Sequence, residues 1–181
     1  MKLITPFMAL TTAAILSTVM LSAPVFAREN PKLSDAEVAS VAVVANQIDI
    51  SYGEIAKKKS KNADILKFAE TMISDHKAVI AQAAALVKKL GVTPKDNAVS
   101  QKLLADAEKT KKTLRSKSGK SFDKAYIENE VAYHKAVIAA VEGLLIPETE
   151  NKELKTLLEN VVPALKTHLE HATMVQNNLS K

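Results

Sequence analysis

The sequence predicts an all-α protein: a bundle of four long amphipathic helices with a partly helical crossover between the second and the third. Three observations carry this. Only 4 Gly and 6 Pro interrupt 181 residues, too few for the many turns of a β-sandwich. Apolar residues recur at helical spacing in four long stretches. Capping signals fall between those stretches. Hydrophobic residues make up 47% of the chain and charged residues 25%, which excludes a disordered tail and a transmembrane bundle. There is no Cys, so disulfides, thiolate metal sites, iron–sulfur clusters and Cys nucleophiles are excluded as well.

In chain order, residues 1–27 read as a secretory signal peptide. Lys2 supplies the positive start, Leu3 to Leu21 the apolar run, and a small-x-small pattern ends at Ala27. An uncleaved anchor is the alternative, since the run approaches spanning length. The expected location is the periplasm, free or associated with the outer membrane. Residues 28–34, with Pro31, form a linker, 35–176 the bundle domain and 177–181 a tail.

Ser34-x-x-Glu37 is a capping box, and the first helix should run from about Asp35 to Ser60 with Val38, Val41, Ala45, Ile48, Tyr52 and Ile55 inward. Asn62 caps a second helix, with Ile65, Phe68, Met72, His76 and Val79 inward, and Gly91 closes it in the left-handed conformation. Thr93-Pro94 restarts a helix, with Pro in its first turn, and residues 95–118 carry the thinner stripe of a crossover. Ser121 should cap the third long helix (Phe122, Tyr126, Val131 and His134 inward), with Gly143 and Pro147 at its end. The fourth begins between Glu150 and Leu154 and should bend at Pro163. One long connection between the second and third helices is the ferritin-like topology. An up-down-up-down bundle with an extra helix is the rival.

A formal net charge of +5 is too small to indicate nucleic acid. The local excess at Lys109, Lys111, Lys112 and Arg115 reads as a solvated face, or as a contact with an anionic membrane surface. No Gly-rich phosphate loop or Gly-x-Ser-x-Gly elbow is present, so no catalytic residue is assigned. Nothing in the pattern sets an oligomeric state.

The chain holds four His, and three of them lie on apolar stripes, one per helix: His76, His134 and His168. The first helix contributes Asp49, four residues after Ala45 and three before Tyr52. Glu130 sits one turn before His134. Each helix thus aims one potential ligand inward, and imidazole with carboxylate suits zinc, iron, copper or nickel. Asp49 is 13 residues before Asn62 and His76 is 14 after it, so an antiparallel hairpin sets them at nearly one height. The plainer alternative is structural pairing, Asp49 with His76 and Glu130 with His134. His171 is one step round from His168 and should be exposed. Asp75 should face away from the axis, as a surface residue or one that supports a ligand from outside.

Phe68-Ala69-x-x-Met72-x-x-Asp75-His76, then Phe122-Asp123-x-x-Tyr126, His134 and Pro163-x4-His168 resemble the bacterial domain-of-unknown-function 4142 family. That resemblance implies a ferritin-like bundle and an exported or outer-membrane protein, with no established activity. It also implies a Glu on the first helix where this chain has Asp49. The residues three before His76, His134 and His168 are Ile73, Val131 and Leu165, so the paired Glu-x-x-His motifs of di-iron bundles are missing. The metal reading is therefore mononuclear and His-rich. The alternative is a non-enzymatic periplasmic interaction or stress protein whose inward His are structural.

Overall fold

The structure, a computed structural model, describes residues 32–179. The predicted signal peptide lies outside the described residues. Helix α1 spans Asp35–Lys59. Its capping box is formed: the Ser34 hydroxyl accepts from the Glu37 amide, and the Glu37 carboxylate accepts from the Ser34 amide at 3.0 Å. Helix α2 spans Ala63–Leu90 and is capped by the Asn62 side chain; Gly91 ends it at φ 64°, a left-handed conformation that only glycine adopts without strain.

Three predicted boundaries are corrected. Helix α3 spans Ala98–Ser116, so Pro94 precedes it instead of filling its first turn. Asn97 is its cap, accepting from the Val99 and Ser100 amides. Helix α4, Gly119–Ala140, starts after Ser118, two residues ahead of the predicted cap Ser121, whose hydroxyl instead donates to the Ser118 carbonyl. Nor does α4 stop at Gly143. A π-helical turn, Val141–Leu145, carries it into a last turn, α5, Ile146–Glu148. The wider turn takes up one extra residue, and Pro147 falls at the start of the new turn, where its missing N–H costs least. Helix α6, Lys152–Leu179, continues through Pro163.

Hydrogen bonds fix the topology. The Lys95 amide donates to the Ala36 carbonyl, tying the start of the crossover to the first turn of α1. The Lys59 ammonium bonds the Arg115 carbonyl, tying its end to the last turn of α1. Helix α3 thus returns the chain along α1. Helix α4 begins beside the end of α1, where the Ser60 hydroxyl donates to Asp123 at 2.6 Å. Helices α2 and α4 therefore both run opposite to α1 and parallel to each other. For the four long helices this is the one-crossover arrangement, with α3 as the crossover laid along α1.

The core falls into two apolar clusters. Towards the C-terminal end of α1, here the lower half, Tyr52, Phe68, Met72, Phe122 and Tyr126 are sealed from solvent. Towards its N-terminal end, the upper half, the cluster is aliphatic, with Val38, Val41, Leu145, Leu154, Leu158 and Leu165. Residues Asp49, His76, Glu130, His134 and His168 lie between the two, all buried. Just below them α1 and α2 approach closely at Gly53, where a Cβ would stand 2.9 Å from Ile73 Cγ1 and 3.2 Å from the Ala69 carbonyl. Among the described residues no helix is long and apolar enough to cross a membrane.

Candidate metal centre

Three helices each bring one imidazole to the bundle axis. The ring centroids of His76 and His134 are 5.9 Å apart, those of His76 and His168 5.3 Å, and those of His134 and His168 5.5 Å. One ring nitrogen from each lies within 4.8 Å of the others. Asp49, fully buried on α1, places Oδ2 3.4 Å from His76 Nε2 and 3.5 Å from His134 Nε2. The predicted convergence of one side chain per helix is thus present in the structure.

The hydrogen bonds on the outer sides of the rings define the inner ones. His134 Nδ1 is 3.0 Å from the Glu130 carbonyl. A carbonyl only accepts, so Nδ1 carries the proton and Nε2 presents a lone pair. His76 Nδ1 is 2.7 Å from Asn46 Oδ1. The Asn46 amide cannot be turned round, because its nitrogen donates to the Ala42 carbonyl at 2.8 Å; His76 is therefore the donor. His168 Nε2 donates to Asp75 Oδ2 at 2.9 Å. The inward atoms His76 Nε2, His134 Nε2 and His168 Nδ1 are buried and have no hydrogen-bond partner, and neither has either Asp49 oxygen. Three ring nitrogens and a carboxyl group face one another with no hydrogen bond among them, an arrangement that calls for a proton or a cation. Burial holds the pKa of His134 and of His168 below the ordinary imidazole value, opposed by Asp49 and by the Asp75 hydrogen bond respectively. Protonation is correspondingly disfavoured.

Glu130 lies on the other flank of His134, with Oε2 3.7 Å from Nδ1. An oxygen of Glu130, one of Asp49 and a nitrogen of His134 also lie within 4.8 Å of one another. Burial, and then the proximity of Asp49, push the Glu130 carboxyl well above the usual range. Burial, Glu130 and Asp49 do the same to the Tyr126 phenol. Tyr133 is anchored, its hydroxyl donating to the Ala45 carbonyl at 2.9 Å.

One predicted exposure changes: His171 is half-buried edge-on against Phe68, 5.1 Å between centroids. Asp75 is half-exposed, as expected, and reaches across to hold His168. Asn46 was not singled out in the sequence. Its signal was there: it lies three residues before Asp49, on the same face of α1. The basic run of the crossover is partly neutralised, Lys109 pairing with Asp106 at 2.9 Å and Lys111 with Glu108.

Fold and site together define a crossover helical bundle with a buried centre of imidazoles and carboxyls. The chain belongs to the family described as "Domain of unknown function (DUF4142)", whose model matches residues 21–175, in agreement with the resemblance noted from the motifs. Among solved structures it is similar to "CopM in the Cu(II)-bound form", with a TM-score of 0.61 and 16% identity, covering 81% of this chain and 98% of that one. At that identity the likeness concerns the fold. No curated protein matches.

Proposed function

We propose that this protein binds one divalent transition-metal ion through His76 Nε2, His134 Nε2, His168 Nδ1 and the Asp49 carboxylate. Glu130 then serves as a neighbouring carboxyl that supports His134 or adds a fifth donor. One observation carries the reading: each imidazole is held from outside by an acceptor and leaves its other nitrogen buried and without a hydrogen-bond partner. Outer partners of this kind, a carboxylate, a backbone carbonyl and an amide oxygen, fix the tautomer of metal-binding His. A purely structural role would need a proton between Asp49 and His76 or His134, which at His134 burial opposes. The donor set suits zinc, iron, copper or nickel. Copper is the first to test, because the similar CopM structure is a Cu(II) form. The leader-like residues 1–27 favour an exported protein, which N-terminal sequencing of the native protein checks: the expected first residue is Arg28.

Native mass spectrometry of protein from metal-supplemented medium tests the site. One ion per chain is expected for the wild type and none for His76→Ala. Absence of a stoichiometric ion from both samples overturns the proposal.

A further inference from the structure

The strongest feature left over is a cavity of about 220 Å³ directly above the imidazole cluster. Its position follows from helix register. Moving two turns up from each inward residue, seven positions along, leads to Ala42 on α1, Ala83 on α2, Val141 at the end of α4 and Val161 on α6, all of which line the cavity. Two of those four are Ala. No Phe or Tyr lies above the site on any of these helices, so no side chain is large enough to close the gap. The floor is the only strongly polar part, where Asp49, His76, His134 and His168 also line the cavity. A mouth lies between α2 and α6, where the lining residues Gln82 and Ala164 are exposed.

An apolar chamber with convergent polar groups at one end is the usual form of a small-molecule site. A dry apolar cavity of about 150 Å³ already holds benzene; this one is larger. We infer that the cavity binds a small, mostly apolar molecule carrying one nitrogen or oxygen donor, its body among the aliphatic side chains and its donor directed at the ion on the floor. This inference rests on the proposed metal site. A charged or many-donor ligand is disfavoured, because above the floor the walls are aliphatic apart from Gln82 at the mouth.

The test uses the Cu(II)-loaded protein, with loading measured first. It is titrated with 4-phenylimidazole, imidazole and toluene, following the visible Cu(II) absorption and the melting temperature. 4-Phenylimidazole is expected to shift the absorption and to bind at least about tenfold more tightly than imidazole, because only it carries a phenyl ring that buries apolar surface. Toluene is expected to raise the melting temperature without shifting the absorption. Ala83→Phe should reduce 4-phenylimidazole to the imidazole level while Cu(II) loading is retained. Val161→Phe serves the same purpose on the facing helix should the first variant fail to fold. If Cu(II) loads but 4-phenylimidazole binds no better than imidazole, or binds equally well to both plugged variants, this inference falls and the metal site stands. If no ion loads, both fall together.

Discussion

The two halves of the bundle solve the same packing problem differently. Below the imidazole cluster the interior is filled by Tyr52, Phe68, Phe122 and Tyr126, with Phe68 and Tyr126 edge-on at 6.2 Å and Phe122 stacked on Tyr126 at 6.1 Å. Above it the interior is aliphatic and encloses a cavity of about 220 Å³. A protein interior is normally packed as densely as an organic crystal, so the void is a local departure, and it adjoins the polar centre. The lower half is filled by rings; the upper half leaves access.

Substitutions can break this contrast. The largest effect is expected from Phe68→Ala, which empties a sealed position of the lower core and should cost about 3–5 kcal/mol, read from denaturant unfolding. Next comes Asp75→Ala in the metal-loaded protein. His168 loses the acceptor that fixes its tautomer, and metal affinity should fall about 10–100-fold in a competition titration. The same chemical change should then act with opposite signs in the two halves. Ala69→Leu, against the close approach at Gly53, should destabilise by about 1–3 kcal/mol, whereas Ala83→Leu, filling the upper void, should stabilise by about 0.5–2 kcal/mol. Equal signs would dissolve the distinction between the halves.

The smallest effect is a pH dependence of the metal-free protein. His134 and His168 have lowered pKa values in the fold, so the unfolded chain binds more protons than the folded one as pH falls below the ordinary value of about 6.5. Their contribution to stability is therefore lost on acidification. Glu130 acts in the opposite sense. Its raised pKa keeps it protonated in the fold while the unfolded chain ionises above about 4.3, so it costs stability as pH rises. Glu130→Gln should be more stable than the wild type at pH 7, and the gap should close towards pH 4. Thermal melts at both pH values in the presence of chelator measure it, and a gap that widens on acidification contradicts the assignment.

Much of this was legible in the sequence because it is local. The caps Ser34 and Asn62 and the stop at Gly91 are decided by neighbouring backbone groups, and they came out as expected. Pro94 and Gly143 misled for a related reason. Each is compatible with a boundary, but Asn97 offered a better cap and a π-turn absorbed the glycine. Asp49, His76, Glu130, His134 and His168 could be found because the helical repeat sets their direction and the hairpin length sets the height of the first two. Asn46 could not be assigned a role, because it gains meaning only from the ring opposite. Asp75 could be read as a support or a surface residue, but which His it serves could not be read, since that His lies on a different helix. The cavity was invisible because periodicity marks which residues point inward and says nothing of whether their volumes fill the space.

Asn46 is locked by a carbonyl one turn earlier on its own helix, and His134 by a carbonyl one turn earlier on its own. One of the three proton positions, that of His134, is therefore written into a single helix, whereas that of His76 needs α1 and α2 side by side. The third depends on a half-exposed carboxylate reaching between helices. Solvent reaches the centre most directly there, because Asp75 is half-exposed while the partners of the other two rings are more deeply buried.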